Sequence, residues 1–236
     1  MFRGGQTMKQ QELNEDVCLS SLKNFKINDS KDYIYPNIID YRDFCLPTNN
    51  QRDTPHCVGY TVGGYLEINY WKTFHIPRQF KADEIYKAGR QYKPDTMSGT
   101  RIEYCLLQLK SDNVFKGTIY SYIPNSVDQV KYAVHQYGPL MCGLIITDEW
   151  YDLDKEFKIK EKKKYKILGG HCVLCCGYNK NGVFIQNSWG YQKWGNYGFA
   201  LVPWEMWMKQ IRCCVFVKKL VFNLNKTESF LDAAER

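Results

Sequence analysis

The stretch Gln51-Arg52-Asp53-Thr54-Pro55-His56-Cys57-Val58-Gly59-Tyr60 decides how the rest of the chain is read. Thr54, Pro55 and His56 keep the backbone irregular. From Cys57 onward, Val58, Val62, Tyr65, Leu66 and Tyr70 recur at helical spacing as far as Trp71. Cys57 therefore stands where loop becomes helix. The unpaired N–H groups and the positive end of the helix dipole favour a thiolate over a thiol at such a place. The thiolate is the reactive form, so Cys57 is a candidate nucleophile that needs a base from elsewhere in the chain. Gly59 and Gly63 lie four residues apart on one helix face, and each costs about 1 kcal/mol against alanine. Close approach of neighbouring backbone, as around a central buried helix, is the expected compensation.

The base is found in Gly169-Gly170-His171-Cys172-Val173-Leu174-Cys175-Cys176-Gly177-Tyr178. His171 opens an apolar strand, and two glycines leave its imidazole unshielded. A histidine alone at a strand edge is more commonly structural, but the next strand changes that reading. Asn181-Gly182 is a strong hairpin signal, and the strand after it ends at Asn187. Neighbouring strands can bring the Asn187 amide to the far nitrogen of the imidazole. Cys57, His171 and Asn187 then form a nucleophile, base and orienter.

These residues resemble the papain-like cysteine proteases. Four matches carry the likeness. Gln51 lies six residues before Cys57; Cys57 begins a long helix; His171 opens a G-H-x-V-x-x-x-G-Y strand; and Asn187-Ser188-Trp189-Gly190, continued by Trp194-Gly195-x-x-Gly198, follows the histidine by 16 residues. The likeness runs from about Asp40 to Val217. It implies that Cys57 attacks the scissile carbonyl and that His171 pairs with it and protonates the leaving amine. It implies that Asn187 orients His171 under a shield of Trp189, and that the Gln51 amide and the Cys57 backbone N–H form the oxyanion hole. It implies a polypeptide substrate, a protein inhibitor as a further partner, no cofactor and no metal. Thiol endopeptidase is the expected activity. The alternatives are a catalytically silent binding or regulatory protein on the same fold, or an amidase, acyltransferase or deubiquitinating relative.

The departures from the family pattern cluster around the nucleophile. Thr54 stands where a disulfide cysteine is usual, and Val58 where a tryptophan is usual. His56 adjoins Cys57 and is expected to point away from it. His171 follows Cys57 by 114 residues, against about 130 or more in the family signature, so short loops between the lobes are expected. The family's long prosegment is not expected here, and residues 1–31 read as a polar tail, with a shortened prosegment as the alternative and a helical turn expected around Val17 to Phe25.

The remaining chain reads as helices first and strands afterwards. Helices are expected at Ala82–Arg90, Thr100–Leu109 and Val127–Gln136, the last ended by Gly138-Pro139. Strands are expected at Leu140–Ile146, Tyr165–Leu168, His171–Tyr178, Val183–Asn187, Gly198–Val202 and Cys213–Phe222. This order is α+β, not alternating βαβ. It predicts a helical lobe over about 42–122 and an antiparallel, barrel-like sheet lobe over about 123–222, with the cleft between them and a polar tail over 223–236.

Composition bounds the remainder. The 236 residues are 44% hydrophobic, with 18 Tyr and 6 Trp, enough for a sizeable core. The 32 basic and 25 acidic residues give a net charge of +7. Much of it sits in Lys155–Lys166, where seven lysines meet two glutamates. With little aromatic interleaving, that run reads as a solvated loop, so neither a nucleic-acid nor a membrane partner is expected. No run of 18 apolar residues occurs and no secretory signal is read at the start, so the ten cysteines are expected to be reduced, in an intracellular monomer. A zinc site built on His171, Cys172 and Cys175 is disfavoured, because Cys172 and Cys175 face opposite sides of a strand.

Overall fold

The structure, a computed structural model, describes residues 34–94 and 99–232, together with the backbone of Lys23–Asn24. The expected helical turn near Val17 lies outside these residues, except that Lys23–Asn24 forms a strand instead. In chain order the elements are β1 (Lys23–Asn24), β2 (Ile39–Asp40), α1 (Cys57–Phe74), α2 (Ala82–Tyr92), α3 (Ile102–Ser111), β3 (Phe115–Tyr122), α4 (Val127–Tyr137) and β4 (Leu140–Thr147). There follow β5 (Ile167–Asn179), β6 (Gly182–Gln186), β7 (Phe199–Pro203), α5 (Trp204–Gln210), β8 (Ile211–Phe222) and α6 (Leu224–Thr227).

One sheet takes in every strand, in the order β1-β3-β8-β4-β5-β6-β7, with β2 added alongside β5. All pairings are antiparallel except β1 with β3. The path has two free ends, so the expected barrel-like closure gives way to an open sheet. Tyr165–Leu168 and His171–Tyr178 merge into the single strand β5. A strand at β3 and a short helix at α5 join the expected elements.

Residues alternate across β4, β5 and β8, which makes two cores. Met141, Leu174, Cys213 and Val215 face α1, α2 and α3. Leu140, Cys142, Val173, Cys175, Cys214 and Phe216 face the other way, with Val130, Val134 and Trp207 from α4 and α5. Cys172 and Cys175 fall on opposite sides of β5, as the alternation predicts. The expected C-terminal tail is instead docked as far as Asp232, whose N–H donates to the Gln79 carbonyl. Leu231 is buried and bridges to Phe80, and the Thr227 hydroxyl donates to the Val114 carbonyl at 3.1 Å. The lysine-rich run is an exposed loop between β4 and β5, where Lys160 and Lys162 pair with Asp152 at 3.2 and 3.8 Å.

The two helix glycines part company. A Cβ on Gly59 would collide with the Ala82 carbonyl oxygen and lie 3.0 Å from the Tyr86 Cβ, so only glycine lets α2 sit this close. At Gly63 the nearest atom would be the Ile85 Cδ1 at 3.7 Å, an ordinary contact. Close packing therefore explains the first glycine and not the second. Gly59→Ala is expected to destabilise the fold by about 3 kcal/mol. Gly63→Ala is expected to be neutral or to stabilise it by up to about 1 kcal/mol. Urea midpoints of the two variants check both values.

Candidate active site

Four segments converge where the N-terminus of α1 meets the middle of β5. The loop at Gln51 comes first. Its backbone N–H donates to the Ser188 carbonyl at 2.8 Å, and the Ser188 hydroxyl donates to Gln51 Oε1 at 2.6 Å. The neighbouring Gly190 N–H donates to the Asn49 carbonyl at 3.1 Å. The loop is thus laced to the Asn187–Gly190 segment. Gln51 Nε2 donates to the Thr54 carbonyl at 2.8 Å, and the Thr54 hydroxyl returns a bond to the Gln51 carbonyl. Reciprocal hydrogen bonds through Thr54 hold this loop in place of a disulfide. Gln51 is 2% exposed, so its amide orientation is fixed by these partners.

His56 turns away from Cys57, as expected. Its Nδ1 lies 2.7 Å from Asp83 Oδ1, and its ring stacks on Tyr86 at 3.9 Å. This ties the residue before the nucleophile to α2. Cys57, the first residue of α1, is half-buried and free.

His171 lies on β5 opposite Leu144 and is 5% exposed. Its Nε2 meets Asn187 Oδ1 at 2.8 Å. With Nε2 engaged by Asn187, Nδ1 is the nitrogen left for the sulfur. Asn187 Oδ1 is itself held by the Ser188 N–H at 2.8 Å. Trp189 stacks on His171 with centroids 5.0 Å apart, and Trp150 meets the imidazole edge-on at 6.2 Å. Trp150 is fixed by an indole N–H bond to Gln210 Oε1 at 2.8 Å, and its carbonyl accepts from the Trp194 indole at 2.7 Å. The His171–Asn187 bond thus lies under an apolar roof, where a polar interaction is stronger than in water. Gly198 closes the segment. It has φ +86°, and a Cβ there would overlap the Thr48 side chain.

All five residues singled out in the sequence (Gln51, Cys57, His171, Asn187 and Trp189) are brought together. One other at the site is not legible there, Trp150; Cys172, weighed in the sequence only as a disfavoured zinc ligand, packs with Cys57 against the same core. The Cys57 thiol is held well below the usual thiol range, chiefly by the Cys172 thiol and, against the cost of burial, by the hydrogen bond and charge of His171. Cys172 is pushed well above that range, because it shares its hydrogen bond with an anionic Cys57 and is itself buried. The arrangement favours the thiolate at Cys57 over that at Cys172 and sets both beside an oriented imidazole.

A sequence profile of the papain family cysteine proteases matches residues 35–215. The chain belongs to this family. No curated protein sequence matches it. Among solved structures it is similar to xylellain, a cysteine protease from Xylella fastidiosa, at 15% identity and a TM-score of 0.72, over 91% of this chain and 96% of that one. It is also similar to procathepsin B S9 from Trypanosoma congolense, at 11% identity and a TM-score of 0.66, over 92% and 87%. A third likeness is to bromelain from Ananas comosus, at 15% identity and a TM-score of 0.61, over 78% and 99%. Identities this low speak for the fold; the profile assigns the papain family, and with it a thiol peptidase acting on polypeptides. Among the described residues, no helix is long and apolar enough to cross a membrane.

This papain-family chain also carries a buried acid ten residues along α1 from the nucleophile. Glu67 accepts the Phe80 N–H at 2.9 Å, and burial pushes its pKa up from 4.5 to about 7. The folded state then keeps a proton that the unfolded chain releases, so stability falls as pH rises from about 4.5 through about 7. Glu67→Gln is expected to be about 2 kcal/mol more stable than the parent at pH 8 and indistinguishable from it at pH 4. Denaturant melts at the two pH values check the difference.

Proposed function

We propose that this papain-family protein is an endopeptidase in which Cys57 is the nucleophile, His171 the acid and base, Asn187 the orienter and Gln51 an oxyanion donor. The observation that carries the reading is the buried 2.8 Å bond from His171 Nε2 to Asn187 Oδ1, with the free Cys57 at the start of α1 lowered in pKa in part by the charge of His171. The resting pair is a Cys57 thiolate beside a His171 imidazolium. The thiolate attacks the scissile carbonyl carbon, and the carbonyl oxygen takes the negative charge. Two donors meet that oxygen: the Cys57 backbone N–H at the start of α1, and the second amide hydrogen of Gln51 Nε2, the first being spent on Thr54. Collapse expels the amine, which takes its proton from His171, and leaves a thioester on Cys57. His171, now neutral, draws a proton from water for the second attack. Throughout, Asn187 and the Trp189 ring keep the imidazole from rotating away from the sulfur.

The test has two arms on one protein. A thiol-reactive epoxide is expected to label one cysteine per chain, mapped by peptide mass to Cys57, and to abolish hydrolysis of an internally quenched peptide library. Cleavage products are expected to come from internal bonds. Labelling without any hydrolysis would point to a silent binding protein. Release of terminal residues alone would make it an exopeptidase.

A further inference from the structure

The indole of Trp150 does more than roof His171, because a run of buried polar groups aims it. Trp150 is fully buried in the short turn Asp148–Tyr151 after β4. Its ring stands at 87° to the His171 imidazole, at 68° to Trp189, and nearly parallel to Trp194 at 16°. The orientation is set by a hydrogen bond: the indole N–H donates to Gln210 Oε1 at 2.8 Å. An indole nitrogen is a donor only, so this bond also fixes the Gln210 amide with its oxygen toward Trp150. The amide nitrogen then donates to the Thr147 hydroxyl oxygen at 3.2 Å, and that hydroxyl donates to Glu149 Oε2 at 2.6 Å. Glu149 Oε1 accepts the Lys162 backbone N–H at 2.7 Å. From Trp150 to Glu149 every bond runs in the same donor-to-acceptor sense, and bonds in such a chain strengthen one another. Thr147, Glu149 and Gln210, like Trp150, are all buried. An apolar filling of the same space would avoid the cost of desolvating these groups. What it would not supply is a direction for the indole.

We propose that Gln210 is a positioning residue for proton transfer, acting through Trp150, which it holds in the orientation that keeps the His171 imidazole from rocking. The proposal rests on the reading of His171 as acid and base. Asn187 holds Nε2 of that ring at 2.8 Å and Trp189 covers one face with centroids 5.0 Å apart. Trp150 meets the ring from a third direction, so three contacts together leave it a single orientation. Without the bond to Gln210 the indole turns in its site and the imidazole gains freedom in the ground state. Gln210 and Trp150 are shut off from solvent, so neither meets the substrate. The loss therefore falls on kcat and spares KM.

The experiment compares Gln210→Met, which keeps the length of the side chain, with Trp150→Phe, which keeps a ring beside His171 and removes the N–H, and with the double variant. Tyr65→Phe serves as a control, since it removes a different buried bond, from the Val217 N–H at 2.9 Å. His171→Ala is measured alongside, and kcat and KM are read on one peptide substrate. Each single variant is expected to lower kcat about tenfold with KM within about twofold of the parent, a smaller loss than the roughly 10²-fold that a misplacement of about 1 Å can cost. The double variant is expected to match the singles, because all three lack the same bond. Tyr65→Phe is expected to lower the melting temperature and leave kcat unchanged. Unchanged kcat in either folded variant would overturn the proposal. So would a double variant whose loss is the product of the two single losses, or an equal loss of kcat in Tyr65→Phe. Trp150→Phe keeps the aromatic packing and decides the question alone where Gln210→Met does not fold. An inactive His171→Ala beside unaffected Gln210 and Trp150 variants would overturn this proposal only. A fully active His171→Ala would overturn the reading of His171 with it.

Discussion

Replacing Cys57 with alanine is expected to lower peptide hydrolysis by about 10⁴-fold or more. The effect is this large because the proposed reaction has no second route. The thioester forms on this sulfur, and the neighbouring nucleophile, Cys172, is held as a thiol well above the usual range and so is poorly reactive. The fold is expected to survive. Cys57 is half-buried at a helix end, and alanine keeps the helix start. The variant should still bind peptide substrates, so the loss should fall on kcat. Steady-state kinetics and a circular dichroism melt check the two halves together. Residual hydrolysis above about one hundredth of the parent rate would mean that the nucleophile is elsewhere.

Replacing His171 with alanine is expected to cost about 10³-fold in kcat/KM near neutral pH, within the usual range for a group that transfers protons in the transition state. Two functions go at once. The sulfur loses the hydrogen bond and charge that help hold it as a thiolate, and the leaving amine loses its proton donor. Asn187→Ala is expected to be milder, because the imidazole remains stacked on Trp189 at 5.0 Å and edge-on to Trp150 at 6.2 Å when the 2.8 Å bond to Oδ1 is lost. The order of loss, Cys57 before His171 before Asn187, is measurable on one peptide substrate. An Asn187→Ala variant as impaired as His171→Ala would show that orientation, not proton transfer, dominates the histidine's contribution.

The site was legible in the sequence because its parts are local signals placed on separate elements. A cysteine at a helix start, a histidine opening an apolar strand and an asparagine ending the next one each carry their own physics. The hairpin at Asn181-Gly182 joins the last two without any long-range information. What escaped depends on contacts between distant segments. Trp150 matters because its ring reaches His171, which nothing local to Asp148–Tyr151 announces. Cys172 reads in the sequence only as a disfavoured zinc ligand, and its packing beside Cys57 comes from α1 lying across the strand. The strand at β3 was obscured by Gly117 and a bulge between Lys116 and Thr118 that break its alternation. The stretch after Phe222 is polar by composition, and its anchors, the burial of Thr227 and Leu231 and backbone bonds to Val114, Gln79 and Lys81, are contacts with distant segments. Gly63 was overread, since spacing alone cannot tell which of two helix glycines faces a carbonyl.

The claim on which the whole account stands is that Cys57 is a thiolate maintained partly by His171. The most direct measurement is the rate of Cys57 alkylation by iodoacetamide as a function of pH, in the parent and in His171→Ala, with the modified residue confirmed by peptide mass. The expected result is rapid alkylation in the parent well below the pH at which ordinary thiols react. In the variant the onset should move upward, by less than the full difference because His171 is one of several causes of the lowered pKa. Superimposable pH profiles, or a parent that reacts only in the ordinary thiol range, would contradict it.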